Sequence, residues 1–213
     1  MGLAFGWNAY AAGLTIDWQL AKQAAAFVYL GADVRFQDAQ ADANTAGLLV
    51  GGYWSLTSDI DPAGQADLFL SRIGKVDRGD LPPAVWVYRA EQLQTAKAFV
   101  EALEKKTGRR TLIGGTPQSL KQAGALFGRT NPLWLSYTPS RFADPKPVGW
   151  ERISVNQTNP NGQVKGVSGP VGLNLADPSF ISQGKETKLA LGLGALLLVG
   201  AALYYAADKE ASE

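Results

Sequence analysis

Short β-rich runs alternate with helical stretches along residues 1–178, and this alternation constrains the fold more than any other feature of the chain. Candidate strands are Phe27–Leu30, Leu48–Trp54, Ala84–Tyr88, Thr111–Ile113, Leu133–Ser136 and Arg152–Val155. Between them lie runs whose apolar residues recur every three or four positions. The clearest is Ala90–Lys106, with Leu93, Ala96, Phe99, Val100 and Leu103 on one stripe. Lys105, Lys106 and Gly108 suit its C-terminal end, so the basic run KKTGRR reads as a helix terminus rather than a binding patch. Asp61 followed by Pro62 marks a helix start, with Ala66, Phe69, Leu70 and Ile73 on its apolar face. Thr15 is a candidate cap for a helix carrying Trp18, Leu20, Ala21, Ala24 and Ala25. Strands joined through helices run parallel, which predicts an α/β fold, either a barrel or a layered sheet.

A second feature stands apart from this pattern. Leu189–Ala207 is a run of 19 uncharged residues, bounded by Lys185, Glu186 and Lys188 on one side and Asp208, Lys209 and Glu210 on the other. As a helix it would extend about 28 Å, close to the ~30 Å of bilayer hydrocarbon. Tyr204 and Tyr205 fall where interfacial aromatics sit, and no rotation of the run gives it a polar face. The expected organisation is a barrel over 1–178, a linker over 179–188, a single transmembrane helix over 189–207 and a short polar tail over 208–213. The first residues lack a basic stretch and a continuous apolar core, so no signal peptide is expected. Two lysines before the span against one after it leave its sidedness open.

Composition narrows the chemistry. The chain has no Cys and no His, which excludes thiolate nucleophiles, Ser-His-Asp catalysis and Cys/His zinc sites. Carboxylates, Tyr, Lys or Ser must carry any reaction. A net charge of +1 offers nucleic acid no general attraction. No phosphate-cradling GxxxxGK occurs, and no cofactor or metal is expected.

Several phrases, in order, resemble the glycoside hydrolase family 25 lysozymes, which are N-acetylmuramidases. They are IDW at Ile16–Trp18, FVYL at Phe27–Leu30, AGLLVGGYW at Ala46–Trp54 and D-x-x-x-QADLFL at Asp61–Leu70. DLPPAV at Asp80–Val85, FVEALEKKTGRR at Phe99–Arg110, PLWLSYT at Pro132–Thr138 and NGQVKGVSGPVGLN at Asn161–Asn174 follow. The resemblance implies a short, irregular β/α (TIM-like) barrel that cleaves peptidoglycan with carboxylates at strand ends. In the family, two acids alternate on the strand after DLPP; here Trp86 and Tyr88 occupy those positions. The family's early and late Asp positions fall on Ala4 and Gly172.

The resemblance therefore implies a framework without its acids, and the expectation is that the chain is not an enzyme. Asp33, Glu91, Asp59, Asp61, Asp17 and Asp80 remain as other carboxylates, and each reads first as a solvated or capping residue. Trp7, Tyr53, Trp54, Trp86, Tyr88, Trp134 and Tyr137 fall at or near strand ends, where aromatic faces could stack on sugar rings. Equally, Trp86 and Tyr88 could simply fill the space of missing acids. The expected function is a membrane-anchored, inactive lysozyme-like protein with a structural or peptidoglycan-recognition role. Its partners would be the lipid bilayer, a glycan and the proteins of an envelope assembly or a membrane-containing phage virion. The alternative is an active anchored muramidase using non-standard acidic residues.

Overall fold

The computed structural model describes residues 2–76, 80–136 and 147–182. Eight strands close into one barrel in chain order: β1 (Ala4–Ala9), β2 (Phe27–Gly31), β3 (Leu49–Ser55), β4 (Ala84–Val87), β5 (Leu112–Gly115), β6 (Leu133–Ser136), β7 (Val155–Gly162) and β8 (Val171–Ala176). Neighbours from β1 to β7 pair in parallel, whereas β8 runs antiparallel to both β7 and β1. The expected α/β barrel is the fold observed.

Helices α1 (Trp18–Ala24), α2 (Phe36–Thr45), α3 (Pro62–Ile73), α4 (Leu93–Thr107) and α5 (Gly124–Phe127) lie in the crossovers. Asp61 caps α3 by accepting from Ala63 N and Gly64 N, with Pro62 in the first turn, and Gly108 ends α4 at φ 65°. Asp17, not Thr15, caps α1: its carboxylate accepts from Leu20 N at 2.9 Å. The strand expected at Arg152–Val155 begins three residues later and continues to Gly162. Strands β1 and β8 and helix α2 were not anticipated.

Two apolar layers hold the fold together. Outward strand residues such as Val28, Val50, Val85 and Ile113 pack against helix residues such as Ala21, Phe69, Phe99 and Leu103. Inward residues Phe27, Tyr29, Leu49, Tyr53, Leu112, Trp134 and Val155 fill the barrel itself. The alternation along each strand separates the layers. Three interior aromatics, Phe27, Tyr29 and Trp86, fit because Gly6, Gly51 and Gly114 face them: a Cβ at Gly51 would lie 2.3 Å from the Tyr29 ring.

The antiparallel β8 ends at the N-terminal end of the parallel strands, with Ala176 opposite Ala4. Residues 178–182 then form a helical turn. Phe180 and Ile181 are buried among Phe27, Leu49 and Leu112, so the packed chain runs past position 178 into the segment expected as linker. Among the described residues no helix is long and apolar enough to cross a membrane. The run Leu189–Ala207 lies outside the described residues, as does Tyr137.

Candidate functional site

The C-terminal ends of the parallel strands form a mouth, and in such barrels side chains there are the ones free to vary in chemistry. A cavity of about 300 Å³ opens there between Asn8, Tyr53, Trp86, Tyr88, Thr116, Ser136 and Gln157. All seven stand on the inward register of their strands or one step beyond the strand end.

Its floor is a network of neutral amides. Asn8 Oδ1 accepts from Gln157 Nε2 and from Asn174 Nδ2, both at 2.9 Å. Gln157 Oε1 in turn accepts from Ser136 Oγ at 2.6 Å, and Asn174 Oδ1 from Trp134 Nε1 at 3.0 Å. Such a floor presents hydrogen-bonding groups whose charge does not change with pH.

Its wall is aromatic. The Trp86 and Tyr88 rings lie 6.5 Å apart on the same face of β4 and the residue beyond it. Trp86 also meets Trp134 edge-on at 5.0 Å. The Tyr88 hydroxyl shares a hydrogen bond of 3.1 Å with Ser55 Oγ, which accepts from the Tyr10 hydroxyl at 3.0 Å. Gln92 fixes the turn after β4, accepting from Tyr88 N and Arg89 N while donating to Leu56 O. Tyr88 is 56% exposed and Tyr10 44%, so both rings are open to a ligand.

Asp33 brings a carboxylate to this rim. Its Oδ2 accepts from Ala12 N at 3.0 Å and its Oδ1 from Arg35 N at 2.8 Å, tying the loop after β1 to the loop after β2. Burial pushes the Tyr10 and Tyr53 hydroxyls above the usual phenol range, and the Asp33 charge adds to that effect in both. Asp17 and Asp61 are helix caps, as the capping reading expected.

Among the described residues, the remaining aromatic candidates do not reach the mouth. Trp7 is fully buried and stacks on Trp18 at 5.9 Å in the outer layer. Trp54 points the same way, donating its Nε1 to Gln65 Oε1 of α3. Trp134 is fully buried beneath Trp86 and offers no face to solvent. Of the candidate stacking residues, Tyr53, Trp86 and Tyr88 are therefore brought together.

The four positions aligned with family acids are also divided. Trp86 and Tyr88 line the mouth, and Gly172 lies beside it, paired with Asn8. Ala4 opens β1 at the opposite end of the barrel, opposite Ala176. The β1 side chain at the mouth is Asn8, which sequence reasoning did not single out. Two-residue alternation from Ala4 through Gly6 reaches it, once β1 is recognised as a strand.

The barrel with a polar and aromatic mouth is a lysozyme-like fold. It matches the lysozyme of Streptomyces coelicolor with a TM-score of 0.77 and 22% identity, over 88% of this chain and 99% of that one. It matches a family 25 lysozyme of Aspergillus fumigatus with a TM-score of 0.74 and 21% identity, over 86% and 98%. The Streptococcus pneumoniae autolysin LytC, solved with a synthetic peptidoglycan ligand, matches with a TM-score of 0.65 and 12% identity, over 81% of this chain and 46% of that one. In sequence, the chain is 27% identical over 161 residues to the uncharacterized protein YegX of Escherichia coli K12, and 27% identical over 143 to that of strain CFT073. These regions cover 66% and 61% of this chain, and about half the length of each relative, 55% and 48%. No protein-family model matches the chain.

These comparisons correct the expectation that the chain is not an enzyme. The solved structures named above that share its barrel are lysozymes and an autolysin.

Proposed function

We propose that this chain is a lysozyme-like protein directed at peptidoglycan, taking the glycan across the mouth of its barrel. One observation carries the reading: an open aromatic wall, Trp86 and Tyr88, stands over the amide floor of Asn8 and Gln157. Aromatic faces bury the apolar faces of sugar rings, while amides exchange hydrogen bonds with hydroxyl and acetamido groups. Cleavage is the reaction to assay. It needs a proton donor and a negative group beside the developing oxocarbenium ion. Asp33, held by Ala12 N and Arg35 N between the loops after β1 and β2, is the carboxylate to test in that role. The barrel is held at a bilayer, of a cell envelope or of a virion, by Leu189–Ala207 acting as a single span, with residues 208–213 beyond it.

The test is sedimentation of the full chain with purified peptidoglycan, alongside a zymogram. Binding should fall at least tenfold in Trp86→Ala and Tyr88→Ala, a loss of about 1.4 kcal/mol or more. Clearing of peptidoglycan should disappear in Asp33→Asn. Binding that is unaffected by both aromatic changes would refute the site.

A further inference from the structure

A second concavity lies at the other end of the barrel. A groove of about 490 Å³ runs between the segments that enter β5, β6 and β7, and it carries Arg110, Arg129, Trp150, Glu151 and Arg152. Its lining holds three guanidinium groups and the Glu151 carboxylate, with Glu104 paired to Arg110 and Asp177 beside Arg152 at its edges. All three arginines are exposed. Arg110 is steadied by Glu104 Oε2 at 2.9 Å and Arg152 by Ser179 Oγ at 3.1 Å. Each pairing occupies part of a five-donor group and leaves the rest of its fork free to bind. Trp150 fixes the floor, its Nε1 donating to Asn131 O at 2.8 Å.

This groove lies where the chain leaves the barrel. Strand β8 is antiparallel, so the described residues finish at this end, and Phe180 of the closing turn itself lines the groove. Six residues, 183–188, separate the turn from Leu189, and they include Lys185 and Lys188. Fully extended, that segment reaches about 20 Å. Anything attached through Leu189–Ala207 is therefore kept within about that distance of the closing turn, whose Phe180 lines the groove.

We infer that the Arg110–Arg129–Arg152 groove seats the phosphate of an anionic lipid headgroup, fixing the barrel with its mouth turned away from the bilayer. The inference rests on the reading of Leu189–Ala207 as a membrane span. Phosphate matches the guanidinium fork in geometry and sign, and an anionic leaflet attracts basic residues next to a span. The opposite orientation would press Tyr10 and Tyr88 against lipid and close the mouth to a glycan strand.

Because the chain has no cysteine, a single Thr130→Cys change places a fluorophore uniquely at the groove. The labelled full chain is reconstituted into phosphatidylcholine vesicles, or into phosphatidylcholine–phosphatidylglycerol vesicles, each carrying a headgroup quencher. Quenching should be severalfold stronger with phosphatidylglycerol and should fall in high salt. It should also be lost in Arg129→Glu, an exposed change that leaves the Arg110 and Arg152 pairings intact. Equal quenching in both lipids, with the chain floating in each, overturns the headgroup assignment. Loss of the difference on adding inorganic phosphate also overturns it, in favour of a free-anion site. Failure to float with neutral vesicles in high salt instead removes the span, and the phosphatidylglycerol arm still reads the groove by itself.

Discussion

Trp134 Nε1 donates to Asn174 Oδ1 at 3.0 Å, and both side chains are fully buried inside the barrel. This bond joins the aromatic column to the amide floor, because Asn174 Nδ2 also donates to Asn8 Oδ1. Away from water, a donor that loses its acceptor keeps the cost of its desolvation. Asn174→Ala should therefore destabilise the protein by about 1–3 kcal/mol, read as a lower denaturation midpoint at unchanged slope. It should also weaken peptidoglycan binding, since Asn8 loses one of its two donors. Wild-type stability would show the network to be incidental.

Trp86 owes its position to a missing side chain. A Cβ at Gly114 would sit 2.5 Å from the Trp86 ring, so Gly114→Ala forces the indole out of place. Overpacking of this kind costs about 1–3 kcal/mol. The telling measurement is glycan affinity, which should drop in Gly114→Ala much as in Trp86→Ala, although residue 114 touches no ligand. Full affinity in the alanine variant would mean that Trp86 does not depend on this contact.

The sequence carried the barrel clearly and the site only in part. Strand β4 was legible because DLPP fixes its start and the AVWVY alternation puts Trp86 and Tyr88 on one face. The other aromatics were ambiguous for a reason of register. Tyr53 and Trp54 are adjacent and must face opposite ways, and nothing local says which faces inward. The structure settles it through Gln65, buried in α3, which draws the Trp54 indole outward. Asn8 was missed because β1 was not recognised, so a position at the wrong end of that strand, Ala4, stood in for it. Helix α2 was missed because FQDAQADANT has only Phe36, Ala39 and Ala43 to bury, too weak a stripe to show by periodicity.

Alkaline pH should unfold the protein early. Burial raises the hydroxyl pKa of Tyr10, Tyr29 and Tyr53, most strongly for Tyr29 and Tyr53. Below about pH 10 these groups are neutral whether the chain is folded or not. Above it the unfolded chain loses protons that the folded one keeps, so stability falls as pH rises towards the folded-state values, by up to about 1.4 kcal/mol per pH unit for each of the buried Tyr29 and Tyr53, and by less for the half-exposed Tyr10. The melting temperature should drop steeply above pH 10, with tyrosinate absorbance appearing together with unfolding. Tyr53→Phe should make the decline shallower. Tyrosinate absorbance rising freely in the folded state would contradict the burial effect.

Placing a carboxylate at the mouth should succeed at position 8 and fail at position 172. Asn8 Oδ1 already accepts from the Gln157 and Asn174 amides, and an aspartate there could accept the same two bonds with stronger, charge-assisted geometry. Asn8→Asp should therefore fold with stability within about 1 kcal/mol of the parent, the scale of one net hydrogen bond. Gly172 has no such room. A Cβ at that position would lie 2.3 Å from both Asn8 Oδ1 and Gln157 Nε2, before any carboxylate is added. Gly172→Asp should cost at least about 2 kcal/mol and break the floor, because overpacking and a disrupted polar network act together. Peptidoglycan binding would then fall in Gly172→Asp and persist in Asn8→Asp. If zymogram clearing rises in Asn8→Asp, the amide at position 8 limits turnover at this mouth. A stable, fully binding Gly172→Asp would show that the β1–β8 seam yields more readily than its close contacts imply.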